Sequence, residues 1–193
     1  MSELTIKHAG STITSPNGAD KQKGAVIRVS PTLQAGTYDA DGAVLFNPTA
    51  IPNAVATRGG CSLLRSMWIM DYEASTDADL IFVLHEKNAA DFGTVNATAN
   101  ISVANLQSSK LLGQILMDET HNRWQGTIDN ARMHQASAQS ATTSTGVQIN
   151  PLMMLKADSN STDVYVTGLV YAHGTGFDWD TGEIELVFHI EYL

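Results

Sequence analysis

The sequence predicts an all-β chain, an antiparallel β-sandwich of the jelly-roll type preceded by an N-terminal arm. Three observations carry this. First, residues 183–192 alternate strictly, with Ile184, Leu186, Phe188, Ile190 and Tyr192 on one side and Glu183, Glu185, Val187, His189 and Glu191 on the other. That is the pattern of a strand with one face on a core and one toward water. Second, no amphipathic helical pattern persists beyond about two turns, and strands do not alternate with long helical segments, which argues against a parallel α/β sheet. Third, about eight apolar runs are separated by clusters of Gly, Asp, Asn, Ser and Thr, the spacing of a two-sheet sandwich.

Taken in order, residues 1–23 are polar and rich in turn formers, including "SPNGADKQKG", and read as an arm with a short strand at "ELTIKH". The sandwich domain then spans 24–193, opening with a strand at "GAVIRVS", 24–30. "GAVLFNP", 42–48, follows a turn at "YDADG". In "CSLLRSMWIMDYE", 61–73, period-two spacing sets Leu64, Trp68 and Met70 on one face. "DADLIFVLHE", 77–86, sets Leu80, Phe82 and Leu84 against Ile81, Val83 and His85, and "ASTDAD" joins these two runs as antiparallel neighbours. "SVANLQSSKLLGQILM" reads as one or two helical turns capped by Ser102, then a strand near 112–117. Residues 118–146 are a polar loop with a strand possible at 127–135, and three strands close the chain at "VQINPLMMLKA", "DVYVTGLVYA" and "GEIELVFHIEYL".

A chain of 193 residues, 43% hydrophobic and 16% charged, can bury one substantial core. The net charge of -9 argues against nucleic-acid binding, which needs Lys and Arg to neutralise phosphates. The charge is uneven: residues 1–28 hold Lys7, Lys21, Lys23 and Arg28 against Glu3 and Asp20, a net of +2 that leaves -11 for the rest. A mildly basic arm on an acidic body favours attraction between neighbouring subunits, with a solvated solubility charge as the plainer alternative. Cys61 is the one cysteine, which excludes a disulfide framework and a thiolate metal cluster. The start lacks an apolar signal region and no run approaches a membrane span, so the expectation is a protein assembled in a cytoplasm, with no membrane partner.

No arrangement of residues calls for catalysis or a cofactor. "DWDTGE" groups Asp178, Asp180 and Glu183, but lacks the oxygen count of a calcium loop and reads as an acidic hairpin turn. Asp118, Glu119 and His121 in "MDETHNRW" read as an exposed polar loop. The six histidines show no zinc spacing, and His85 and His189 read as partly exposed strand residues. There is no GxSxG elbow and no phosphate loop. Of the tryptophans, Trp68 reads as core, and Trp124 and Trp179 as anchors of loops or of a subunit interface.

One stretch, "VLFNPTAIPNAV" at 44–55, is apolar yet holds Pro48 and Pro52, neither of which can donate to a central ladder. It reads as an extended segment on a sheet edge, with Leu45, Phe46, Ile51 and Val55 packed inward and the whole segment at or near a subunit contact. The surrounding run, "YDADGAVLFNPTAIPNAVATRGGCSLL", resembles a group of small virion structural proteins of tailed bacteriophages. Those carry an "LF-P-IPNAV…GG-S-L" run, a "DLIF" strand (here 79–82) and a region resembled here by "FGTVNATANISVAN", 92–105. The likeness covers roughly 24–117; Cys61, where Thr or Ser is usual, and the long polar stretch at 118–146 depart from it.

The resemblance implies a jelly-roll decoration (cement) protein on the surface of a virion, bound to the major capsid protein and commonly a homotrimer, without catalytic residues. The arm lysines Lys7, Lys21 and Lys23 would then lie along the shell or reach the next subunit. A second reading is a tail or baseplate accessory whose loops, with Trp124 and Trp179, touch host glycans. A third is a cupin-like metal enzyme, which the Leu, Phe and Ile faces oppose.

Overall fold

The computed structural model describes residues 5–8, 11–14, 24–72, 78–88, 90–117, 131–136, 152–173 and 177–193. Thirteen strands and one short helix occupy them. In chain order these are β1 (Thr5–His8), β2 (Ser11–Thr14), β3 (Gly24–Val29), β4 (Gly36–Tyr38), β5 (Val44–Ile51), β6 (Cys61–Asp71) and β7 (Ala78–His85). They continue with α1 (Val103–Ser109), β8 (Leu111–Met117), β9 (Arg132–Ala136), β10 (Met153–Lys156), β11 (Val164–His173), β12 (Phe177–Trp179) and β13 (Ile184–Tyr192). No described helix is long and apolar enough to cross a membrane.

Two antiparallel sheets form the sandwich. One runs β3-β13-β6, with β10 pairing the first half of β6 and β9 the second half; the other runs β5-β11-β7-β8. Counting β9 and β10 as two pieces of one position gives eight positions in chain order. The sheets then read 1-8-3-6 and 2-7-4-5. First pairs with last, second with seventh, third with sixth and fourth with fifth, so one long antiparallel ribbon is wrapped into two layers. That nested order is the jelly roll. β4 pairs with β12 and β1 with β2 as separate two-stranded ribbons.

The inward faces meet in one core cluster. Ile27, Leu64, Met67, Ile69, Leu186 and Phe188 come from the first sheet, and Phe46, Leu80, Phe82, Leu84, Ile115 and Val166 from the second. Phe46 and Phe82 pack with ring centroids 6.2 Å apart. The alternation predicted for β13 holds, with Ile184, Leu186, Phe188 and Ile190 all buried.

β6 departs from its expected period. The pairs Ile190↔Leu64 and His189↔Ser66 leave Arg65 as an extra residue, a bulge. One extra residue swaps every later side chain to the other face. Leu64 therefore points inward together with Met67 and Ile69, while Trp68 and Met70 move to the outer face and are only half-buried. The reading of Trp68 as a core residue is corrected by that bulge.

β5 runs through Pro48, which the sequence had placed at a strand end. The strand is an edge, as a proline requires. Its ladder to β11 shifts twice, between Thr49 and Phe46 and between Phe46 and Val44, and Pro48 falls in the first shift. Gly168 of β11 sits under the Phe46 ring, where an added Cβ would lie 2.4 Å from a ring carbon. No larger residue fits there without moving that ring.

Candidate interaction surface

In "VLFNPTAIPNAV" the side chains of Leu45, Phe46, Ile51 and Val55 are enclosed within this chain's own core, each at most 1% exposed. The outward part of the stretch is Pro48, half-buried, and Pro52, exposed. The edge of β5 is also occupied by the chain itself. The Asn47 amide donates to the Gly93 carbonyl at 2.8 Å and accepts from the Phe92 N–H at 2.9 Å. Val44 N–H donates to Ala97, and Asn96 N–H to Val44. Residues 92–100 thus lie against the strand the sequence had left open, which blunts it as an edge.

Trp179 is likewise interior. It is 2% exposed, its Nε1–H donates to Asp71 Oδ1 at 3.3 Å, and its ring centre lies 6.2 Å from that of Tyr38. Its role here is to anchor the β12 ribbon to the sandwich, and it has no side-chain surface to give a partner. Trp124, Lys21 and Lys23, the side chain of Lys7, and the group Asp118, Glu119 and His121 fall outside the described residues. The Glu183 carboxylate accepts from the Asp180 N–H within its own turn. Among the described residues no three His, Cys, Asp or Glu side chains are grouped to hold a metal ion.

Sequence reasoning missed a roof over the second sheet. Val44, Val83 and Phe92 are buried on its outer side, with Ile81, Val95, Ala99, Ile101, Leu106 and Leu169 packed around them. The connection 86–110 supplies this layer, and α1 within it starts at Ser102, whose hydroxyl accepts from the Asn105 N–H as foreseen. His85 is therefore fully buried, not partly exposed. Its Nδ1–H donates to the Lys87 carbonyl at 3.0 Å, so Nε2 accepts from the Thr167 hydroxyl at 3.0 Å. Tyr165 and Phe92 flank the ring at centroid distances of 6.1 and 5.8 Å. Burial lowers its pKa below the ordinary 6.5, against a smaller opposing effect of the Lys87 carbonyl.

Next to it, Glu86 ties the two sheets at one end. Lys110 and Lys156 each donate to Glu86 Oε1 at 3.0 Å, and Asp158 lies 3.6 Å from Lys110. Burial works against the carboxylate's charge, but the hydrogen bonds and charges of the two lysines outweigh it and hold the pKa below the ordinary 4.5.

The outer face of the first sheet is different. Arg28 pairs with Glu185 at 2.5 Å, the Tyr72 hydroxyl donates to Glu185 at 3.1 Å, and Arg65 pairs with Glu191. Ser66 Oγ and His189 Nδ1 are 2.9 Å apart on adjacent strands. Between these polar groups lie Trp68, Met70 and Val187, and β3 adds Val26, 60% exposed. A face of charge pairs around an apolar strip can bind a protein surface.

No protein-family model matches the chain, and no curated protein sequence matches it. Among solved structures it is similar to a chain of infectious bursal disease virus, Gt strain, at 8% identity and a TM-score of 0.21, covering 96% of this chain and 45% of that one. This chain thus spans less than half the length of that chain. It is also similar to the unassembled VP1 pentamer of KI polyomavirus at 11% identity and a TM-score of 0.13, covering 98% and 82% of the two chains. For a mutant VP1 pentamer of Washington University polyomavirus the values are 12% and 0.13, covering 98% and 74%. Likenesses at these TM-scores decide neither fold nor function. The jelly-roll assignment rests on the strand order alone.

Proposed function

We propose that the chain is a non-enzymatic structural protein of a virion, a decoration or cement protein that binds the major capsid protein, as a homotrimer, on the capsid surface. The observation that carries this reading is the role of the run 38–64, which supports the likeness to phage decoration proteins. That run is the corner of the jelly roll: it leaves β4, forms β5, turns at 52–60 and enters β6, crossing from one sheet to the other. Tyr38, Ala43, Val44, Leu45, Phe46, Ile51, Ala54, Val55 and Leu64 along it are all buried. A run so dense in enclosed side chains is one whose residue types the fold restricts. It supports the family reading through architecture, and it leaves the contact with the shell to the outer surfaces and the arm.

An interior filled by Phe46, Phe82, Phe188 and their aliphatic neighbours supports a scaffold over a cupin-like enzyme. The glycan-binding alternative named two tryptophans, and Trp179 is enclosed. The test uses heat or dilution of undecorated shells with and without the purified protein, and a glycan array in parallel. Shells that survive longer with the protein, and an array without signal, support the proposal. Unprotected shells with a strong glycan signal would transfer it to the tail-accessory reading. Deleting residues 1–23 is expected to leave the sandwich folded and to weaken decoration, because the mildly basic arm is the segment suited to an acidic shell.

A further inference from the structure

We propose that the outer edge of β3 is a self-association site, where β3 of a second copy adds antiparallel about a two-fold axis passing between the two Val26 residues. This goes beyond shell binding and does not depend on it.

Among the described residues β3 ends its sheet and is bonded on one side only, to β13. Both edges of the second sheet are blunted. β5 carries Pro48, two register shifts and the 92–100 segment. The ladder of β8 shifts beside His85, and the Met153 side chain of β10 lies over its Gly113. β3, by contrast, pairs with β13 in unbroken register from Gly24 to Val29 and contains no proline. Among the described residues no backbone hydrogen bond is made on its other side. A regular edge left in this state is a template for another strand.

The side chains choose the second copy and its register. Gly24, Val26 and Arg28 point outward, and Val26 at the centre is 60% exposed. Pairing centred on Val26 sets the two valines opposite each other, Ala25 against Ile27, and Gly24 against Arg28. Gly24 has no side chain, and its neighbour in β13 is Glu191. Arg28 of the second copy then lies over Gly24, which offers no side chain to clash with it, and the two-fold axis repeats this at the far end; Arg28 keeps its own Glu185 and Glu191 its Arg65. Centring on Arg28 would oppose two like charges, which is unfavourable, and centring on Ile27 would set Val26 against Arg28.

The test is a pair of cysteine variants in a full-length Cys61→Ser background, with Val26→Lys for the equilibrium. In the Val26-centred register Val26→Cys residues face each other, whereas Arg28→Cys residues lie roughly 14 Å apart, beyond disulfide reach. Mild oxidation is expected to give a disulfide-linked dimer of Val26→Cys and none of Arg28→Cys. In sedimentation, the mass of the wild-type species doubles with concentration, and Val26→Lys weakens that step about a hundredfold while melting like wild type at concentrations below the association step. Equal cross-linking of both cysteine variants, association indifferent to Val26→Lys, or a mass that never doubles up to about 1 mM would each overturn the site. The last two results also cover an edge occupied by residues 1–23 of the same chain or kept for a capsid strand.

Discussion

The outer face of the β5-β11-β7-β8 sheet is roofed by the chain's own 86–110 connection, whereas the outer face of the β3-β13-β6 sheet is left to exposed charge pairs and Val26. Both sheets supply the shared core in the same way, by alternation. Their outer sides differ because one meets a loop that brings Phe92, Val95, Ile101 and Leu106 to it, and the other meets no such layer among the described residues. The roofed face belongs to folding. Among the described residues, the unroofed face is the part of the sandwich left for a partner.

This contrast can be broken most sharply at Phe92. Phe92→Ala strips the centre of the roof and is expected to cost about 3–5 kcal/mol in denaturant unfolding, against under about 0.5 kcal/mol for Val26→Ala. Comparable costs at the two positions would erase the distinction. Gly168→Ala comes next, at about 1–3 kcal/mol, because its methyl group must displace the enclosed Phe46 ring; a neutral result would mean that the β5 edge yields freely.

Acid should attack the roofed side first. The folded pKa of His85 is lowered, so the unfolded chain takes up the proton first; stability is full above pH 6.5 and declines as pH falls below it. Glu86, also held low, contributes above pH 4.5, and that share is lost as pH drops through its folded pKa. Thermal melts across pH are therefore expected to show two successive limbs, with the upper one missing in His85→Gln. An identical slope in that variant would remove His85 as its source. The smallest effect belongs to the unroofed face: Arg28→Ala, on a side chain 60% exposed, is expected to cost under about 1 kcal/mol.

What the sequence made legible follows from which forces are local. The alternation of β13 and the Ser102 cap are written in adjacent residues, and each stands in the structure. The expected antiparallel pairing of 61–73 with 77–86 does not: β6 pairs with β13, β9 and β10, and β7 with β11 and β8, so the two runs lie in different sheets. The face of β6 was not legible, because a bulge at Arg65 is fixed by pairing with β13 and leaves no mark in β6 itself. His85 reads as an outward strand residue by period; the distant Phe92 and Tyr165 enclose it. Trp179 sits in a Gly- and Asp-rich stretch that reads as a loop, yet β12 pairs with β4 and carries the ring inward. The prolines of "VLFNPTAIPNAV" did foretell an edge strand, though not that residues 92–100 would cover it. The candidate surface is the least legible part, since exposure of an outer face depends on which loops fold back over it.

The central claim, that the chain decorates a capsid, is tested most directly by sedimenting the purified full-length protein with undecorated shells. Binding that saturates at a fixed number of copies per shell, in multiples of three, is the predicted result. A chain that stays monomeric and remains in the supernatant at every concentration would contradict it.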